Sequence, residues 1–325
     1  MSGHHHASHA GKAGFFVILV TSTFLMGSSF VSGKILLAQG FAPMSLVGWR
    51  FLVAALATLP LARLDNRSLR AALVPRGMRA RDVALVALIG LTQTAAVMGL
   101  LFLSMRSISA ATAAILLFTN PIWVAVLGRL FLGEALHRHR AAGLLLGIVG
   151  VVLAIGLGAG TLSSPGALAG ELIGLASAVC WAAATIVNKR ANLPMGAWAL
   201  SFWQMLIGSV ALLVIAYASG EHWPAAVNPT QWGWFLWLSI PASTGSFGLW
   251  FVALRQGGAT RTSGYLFLAP LFTVVLSFFL LDTTLSWLQA AGGLLICVAL
   301  WLVNREIPAR SDQERMNAAL AEGEA

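Results

Sequence analysis

Few side chains in this sequence could do chemistry, and most of them stand inside long apolar stretches at helical spacing. Trp181, Thr185 and Asn188 share one helical face, as do Met26, Phe30 and Gly33 in a similar stretch nearer the start. Thr112, Leu116, Thr119 and Asn120 make a semi-polar stripe, and Tyr265 stands where a second copy of that stripe would place Leu116. Gln93 and Trp250 add an amide and an indole. Apolar and aromatic walls with few hydrogen-bonding groups suit the binding of a small amphipathic molecule. Packing between helices accounts for any one of these residues singly. As a set, Met26, Phe30, Gln93, Leu116, Asn120, Trp181, Thr185, Trp250 and Tyr265 form the candidate substrate site.

Two cations also stand within apolar stretches. Lys34 lies near the end of the first, where its stem can snorkel to an interface, and Arg50 lies deeper in the second. Lys34 and Arg50 are both candidates for a gate or a substrate-carboxylate contact, and pairing with a helix C-terminus is the other role open to Arg50. Catalytic groups are missing from these stretches. All 11 acidic residues fall in loops, tails or stretch ends, and the histidines fall outside the stretches. No stretch holds the nucleophile with a base, or the metal cluster, that an enzyme within the membrane would need. No cofactor is expected. Proton-coupled carriers generally place a titratable group inside the membrane, so its absence favours a facilitator or exchanger over a proton-coupled exporter, unless Glu171 or a loop carboxylate reaches the path. Cys180 and Cys297 read as reduced packing residues, and the His4–His6 run with His9 as a tag remnant or loose tail.

The elements that position these residues follow from composition. A soluble domain carries about a quarter charged residues; this chain carries 10%, with 58% hydrophobic residues and a mean hydropathy of +0.83. It is an integral membrane protein, and lipid dictates helices. Ten stretches fit: 15–37, 45–64, 83–105, 110–132, 141–157, 168–187, 198–217, 232–254, 263–281 and 285–303. The expected layout is a tail over 1–14, a five-helix half over 15–157, a linker over 158–167, a second half over 168–303 and a tail over 304–325. With both termini cytoplasmic, only Lys34, Arg50 and Arg106 of the 20 basic residues fall in the outer half, as the positive-inside rule demands. The net charge of +9 therefore speaks of topology and anionic lipid, and no nucleic acid partner is expected.

The second half is a diverged copy of the first. At a shift of 149 residues Arg106 falls on Arg255, Pro121 on Pro270 and Ala141-Ala142-Gly143 on Ala290-Ala291-Gly292. With a few extra residues near the start, Lys34 falls on Lys189 and Pro43-Met44 on Pro194-Met195. Five stretches is an odd number, so the copies are inverted, a plan that places a transport site at the repeat interface. Pro121 and Pro270 are expected to kink their helices as paired hinges, whereas Pro241 has no matching proline. Gly143, Gly147 and Gly150 offer a small-residue face for close helix approach, within the chain or in a homodimer.

The motifs Gly27-Ser28-Ser29-Phe30 with Lys34, Trp49-Arg50-Phe51, Leu116-Leu117-Phe118-Thr119-Asn120-Pro121 and Phe131-Leu132-Gly133-Glu134 carry a family resemblance, as do Cys180-Trp181, Ser201-Phe202-Trp203-Gln204 and Tyr265-Leu266-Phe267-Leu268-Ala269-Pro270. Together they resemble the EamA-type exporters of the ten-span drug/metabolite transporter superfamily. One departure is Asp282-Thr283 in place of a second Gly-Glu. The resemblance implies a basket of ten helices whose cavity is lined by spans 1, 3, 4, 6, 8 and 9, with spans 5 and 10 as peripheral scaffold. It also implies outward movement of amino acids, other metabolites or amphipathic drugs, and the aromatic amino acid exporters are a natural comparison. The expected function is secondary transport of a small amphipathic metabolite across the bacterial inner membrane by alternating access, as a monomer or homodimer. A membrane scaffold without transport is the alternative of a different class.

Overall fold

The computed structural model describes residues 3–64, 68–133, 138–155, 165–191, 193–250, 252–253, 264–283 and 285–304, with no strand among them. The chain forms α1 (Gly3–Ala38), α2 (Pro43–Leu64), a short α3 (Leu69–Leu73), α4 (Ala80–Ile89), a π-helical turn (Gly90–Ala96) and α5 (Val97–Ser104). Then come α6 (Ala110–Leu117), α7 (Asn120–Leu132), α8 (Arg138–Ile155), α9 (Pro165–Ala191), α10 (Ala197–Ala218) and α11 (Pro229–Ser239). A second π-helical turn (Ile240–Gly245) prolongs α11, and a 3₁₀ turn (Gly264–Phe267) leads into α12 (Leu268–Leu281) and α13 (Trp287–Asn304). Among the described residues six helices are long and apolar enough to cross a membrane: Gly14–Ala38, Pro43–Arg63, Ala80–Ser104, Ala110–Phe131, Gly166–Asn188 and Ala197–Ala218. Leu268–Leu281 and Ala290–Ala299 are shorter apolar helices.

The residues expected as an N-terminal tail continue α1 back to Gly3, helped by Ala7, Ala10 and Ala13, which are strong helix formers. The expected C-terminal tail beyond Asn304, the linker over 158–164, and Glu134, Arg255 and Arg261 lie outside the described residues.

Helix interruptions fall at matching places in the two halves. At the shift of 149, Gly90 falls on Ser239 and Ala96 on Gly245, so the two π-helical turns occupy one place in the repeat. Pro241 gives the second turn its cause, because it lacks the N–H that an α-helical ladder needs. The proline itself has no counterpart; the backbone feature does. In the same way α6 stops at Leu117 and α7 restarts at Asn120, while the 3₁₀ turn yields to α12 at Leu268. Pro121 and Pro270 thus stand in the first turn of a new helix, where the missing N–H leaves no bond unmade. The expected mid-helix kink is replaced by a break just before each proline. Even the helix exits match: Gly133 after α7 has φ +67°, and its counterpart Asp282 after α12 has φ +50°.

Most of the helix packing joins one half to the other. α2 lies along α10 and α8 along α13, α1 packs on α12, and α9 packs on α5, α6 and α7. Small residues permit the approach. A Cβ on Gly27 of α1 would stand 2.6 Å from the Ala269 carbonyl oxygen of α12. Gly147 and Gly150 of α8 face Ile122, Ala299 and Ile296, so this part of the small-residue face is used within the chain. Side-chain hydroxyls stitch the same seams: Thr273 donates to the Gly27 carbonyl at 3.1 Å and Ser209 to the Gly48 carbonyl at 2.9 Å.

Candidate functional site

A cavity of about 120 Å³ lies between the halves, lined by Met26, Ser29 and Phe30 of α1, Gln93 of the first π-helical turn, Met98 and Leu101 of α5, Leu117 and Phe118 at the α6 break, and Trp181 of α9. Ala242 of the second π-helical turn, Ser246, Phe247 and Trp250 beyond it, Leu266 of the 3₁₀ turn, and Arg50 of α2 complete the wall. These residues come from spans 1, 3, 4, 6, 8 and 9 with one addition, Arg50 from span 2. Neither α8 nor α13 contributes; they pack on each other at the periphery.

The lining repeats. At the shift of 149, Gln93 falls on Ala242, Met98 on Phe247, Leu101 on Trp250 and Leu117 on Leu266, and all eight line the cavity. Met26 and its counterpart Trp181 do so as well. The axis relating the two copies therefore passes through the cavity, and the side chains differ on its two sides. Aromatic rings gather at one wall: Phe118 stands 6.1 Å edge-on from Trp181 and 6.2 Å from Phe30.

Among the described residues Arg50 is the one charged group lining the cavity, and it is 3% exposed. Its Nε donates to Ser243 Oγ at 2.9 Å, and its guanidinium lies over the rings of Phe51 and Phe102, at 4.7 and 5.4 Å from their centroids. Ser243 belongs to the second π-helical turn, and its hydroxyl donates to the Leu238 carbonyl five residues back at 2.7 Å. That turn is held from outside too: Thr244 donates to the Ala54 carbonyl and Ser22 to the Ser246 carbonyl, each at 2.9 Å. A helix without a regular α ladder is thus fixed by α1 and α2.

The structure brings Met26, Phe30, Gln93, Trp181, Trp250 and Arg50 together at this cavity and places the other candidates elsewhere. Leu116 is wholly buried beside Gly174 of α9. Asn120 Nδ2 donates across to the Ala178 carbonyl at 3.4 Å, and Thr185 donates back to the Trp181 carbonyl at 2.9 Å. Tyr265 packs with Trp250 against the Phe15 and Leu19 cluster, edge-on to Phe15 and Phe16. Lining residues that sequence spacing did not single out include Phe118, Met98, Phe247 and Ala242. For Ala242 the available signal was its place as the counterpart of Gln93 under the 149-residue shift.

Lys34 does what was open to Arg50. Its Nζ donates to the Met105 carbonyl and, at 2.8 Å, to that of Ile108, so it caps the C-terminal end of α5. It also borders a wider pocket of about 590 Å³ at the α1–α2 turn, with Arg106, Glu221 and His222. There Glu221 Oε2 accepts from the backbone N–H groups of Met44 and Ser45, at 2.8 and 3.2 Å, which caps α2. Among the described residues this larger pocket draws only on α1, α2, the turn between them and the turns after α5 and α10, without the paired lining, and it reads as a mouth, not the central site. Glu171 of α9 is 2% exposed with Oε2 unpartnered among the described residues; it does not line the cavity.

Known proteins fit this geometry. The model of the EamA-like transporter family matches residues 13–156 and again 168–305. An uncharacterized transporter of Archaeoglobus fulgidus is 28% identical over 88% of this chain and 96% of its own length. A WAT1-related chloroplastic protein of Arabidopsis thaliana is 28% identical over 91% of this chain and 71% of its own. Protein PecM of Dickeya dadantii is 27% identical over 63% and 68%. One protein of known crystal structure superposes over 90% of this chain and 97% of its own with a TM-score of 0.60 at 16% identity, a likeness of fold. Two family matches, one for each half that lines the cavity, assign the protein: the chain belongs to the EamA-like transporter family, a group of membrane-spanning transporters of the drug/metabolite transporter superfamily.

Proposed function

We propose that the protein is a ten-span secondary transporter that exports small amphipathic metabolites, amino acids among them, across the bacterial inner membrane by alternating access. Both termini face the cytoplasm, and the protein works as a facilitator or exchanger. The observation that carries this reading is the paired lining: five equivalent positions from each inverted copy meet at one cavity, where such repeats build their sites. The cavity of about 120 Å³ is well below the roughly 300–1,000 Å³ of pockets for drug-sized ligands, which favours a metabolite over a bulky drug. Because the copies interleave, the bodies that rock must each mix helices of both, and the breaks before Pro121 and Pro270 serve as hinges.

The test is solute flux into proteoliposomes, with and without a pH gradient, across amino acids and small organic acids. Saturable flux that persists without the gradient supports a facilitator or exchanger. No flux of any solute in such a panel overturns the transport reading. A second reading, proton-coupled export, rests on Glu171, a buried carboxyl with an unpartnered oxygen inside the bundle. It requires flux to collapse without the gradient and E171Q to uncouple it.

A further inference from the structure

We infer that Arg50 receives the carboxylate of the transported solute, and that the solute is an organic monoanion with an aromatic or apolar body. This rests on the transport reading above and narrows it to monoanions, setting zwitterionic amino acids aside.

The cation is not neutralised from within. Among the described residues no acidic group pairs with Arg50; its one side-chain hydrogen bond is from Nε to Ser243. A guanidinium has five N–H donors, so most of them await a partner at the cavity wall. A buried cation left in that state is costly unless something negative reaches it. A carboxylate fits, because the planar fork of a guanidinium binds it in a bidentate manner.

Position and orientation are built. The guanidinium lies over the Phe51 and Phe102 rings, at 4.7 and 5.4 Å from their centroids, and Ser243 holds its Nε edge. The repeat explains why there is one cation and not two. With Pro43 on Pro194, Arg50 falls on Ser201, so the repeat supplies no second cation at the equivalent position and, among the described residues, Arg50 alone brings charge to the cavity. The lining also carries the aromatic rings of Phe30, Phe118, Trp181 and Trp250. That asymmetry gives a ligand one charged end and one apolar end.

The same census separates a monoanion from a zwitterion. No carboxylate lines the cavity among the described residues. An ammonium group would meet ring faces and the Gln93 amide, and no counter-charge.

The test compares three probes of one skeleton on the purified full-length protein by thermal shift: 3-phenylpropanoate, its neutral amide 3-phenylpropanamide, and L-phenylalanine, which adds the amine. The acid should bind saturably, with the amide and the zwitterion each weaker by about tenfold or more, the loss that follows a missing charged hydrogen bond. R50Q should weaken binding of the acid by a similar factor and abolish its preference over the amide. S243A, which frees the guanidinium without removing it, should lose less. Should R50Q fail to fold, R50K replaces it and should still prefer acid to amide. Equal binding of acid and amide, wild-type affinity of R50Q or R50K without acid preference, phenylalanine as tight as the acid, or no binding of any probe would each overturn the assignment. Failure of the two readings is distinguishable. Flux without charge discrimination removes the Arg50 assignment and leaves transport standing, whereas Arg50-dependent binding without flux does the reverse.

Discussion

Lys34 and Arg50 show how two intramembrane cations divide their work by what their head groups touch. The Lys34 ammonium satisfies two carbonyls at the end of α5 and so serves structure. Replacing it by methionine leaves those carbonyls open, which should cost about 1–3 kcal/mol. The expected outcome for K34M is a lowered melting temperature with solute affinity unchanged, measured by thermal unfolding with and without the acid probe. Sequence reading found much of the cavity at this scale, because Phe30 and Trp181 mark helix faces, Met26 is the counterpart of Trp181, and Gln93 and Trp250 stand out as an amide and an indole in apolar stretches. It missed Phe118, which stands in the break between Leu117 and Asn120, because a 3.6-residue period projects faces from an unbroken helix. It placed Leu116 and Asn120 at the site, whereas both face α9, beside Gly174 and bonded to Ala178.

Among elements, the matched interruptions are the main finding. Each π-helical turn carries more residues per turn than an α-helix and rotates the face beyond it, which is how Met98 and Leu101 in one copy, and Phe247 and Trp250 in the other, reach the cavity. A sequence periodicity carries no mark of such a turn without its hydrogen bonds. The matched exits make a sharper prediction. Asp282 holds the left-handed conformation that Gly133 holds in the other copy, and a side chain makes that conformation costly. D282G should stabilise the protein by about 0.5–1 kcal/mol, read as a raised melting temperature with unchanged flux. A lowered melting temperature would mean that the Asp282 side chain contributes more than its backbone strain removes.

For the whole molecule, interleaving decides what a repeat can do alone. α2 with α10, α8 with α13, α1 with α12 and α9 with α7 all pair helices of opposite copies. Residues 1–157 made alone should therefore fail to give a monodisperse species by size exclusion, and co-expression with residues 158–325 should restore one. A stable first half would contradict the packing. The duplication, the apolar stretches and the membrane-spanning helical class were legible in the sequence, because the 149-residue shift and hydropathy are both linear properties. The interleaving was not, since nothing in a one-dimensional repeat says which helices of the two copies meet. The most direct measurement is solute flux in proteoliposomes by wild type beside two variants that fill the cavity from opposite copies, Met26→Trp and Ala242→Phe. Both variants should remain monodisperse and lose most of their flux. Flux at the wild-type rate through a filled cavity would contradict the placement of the transport site between the repeats.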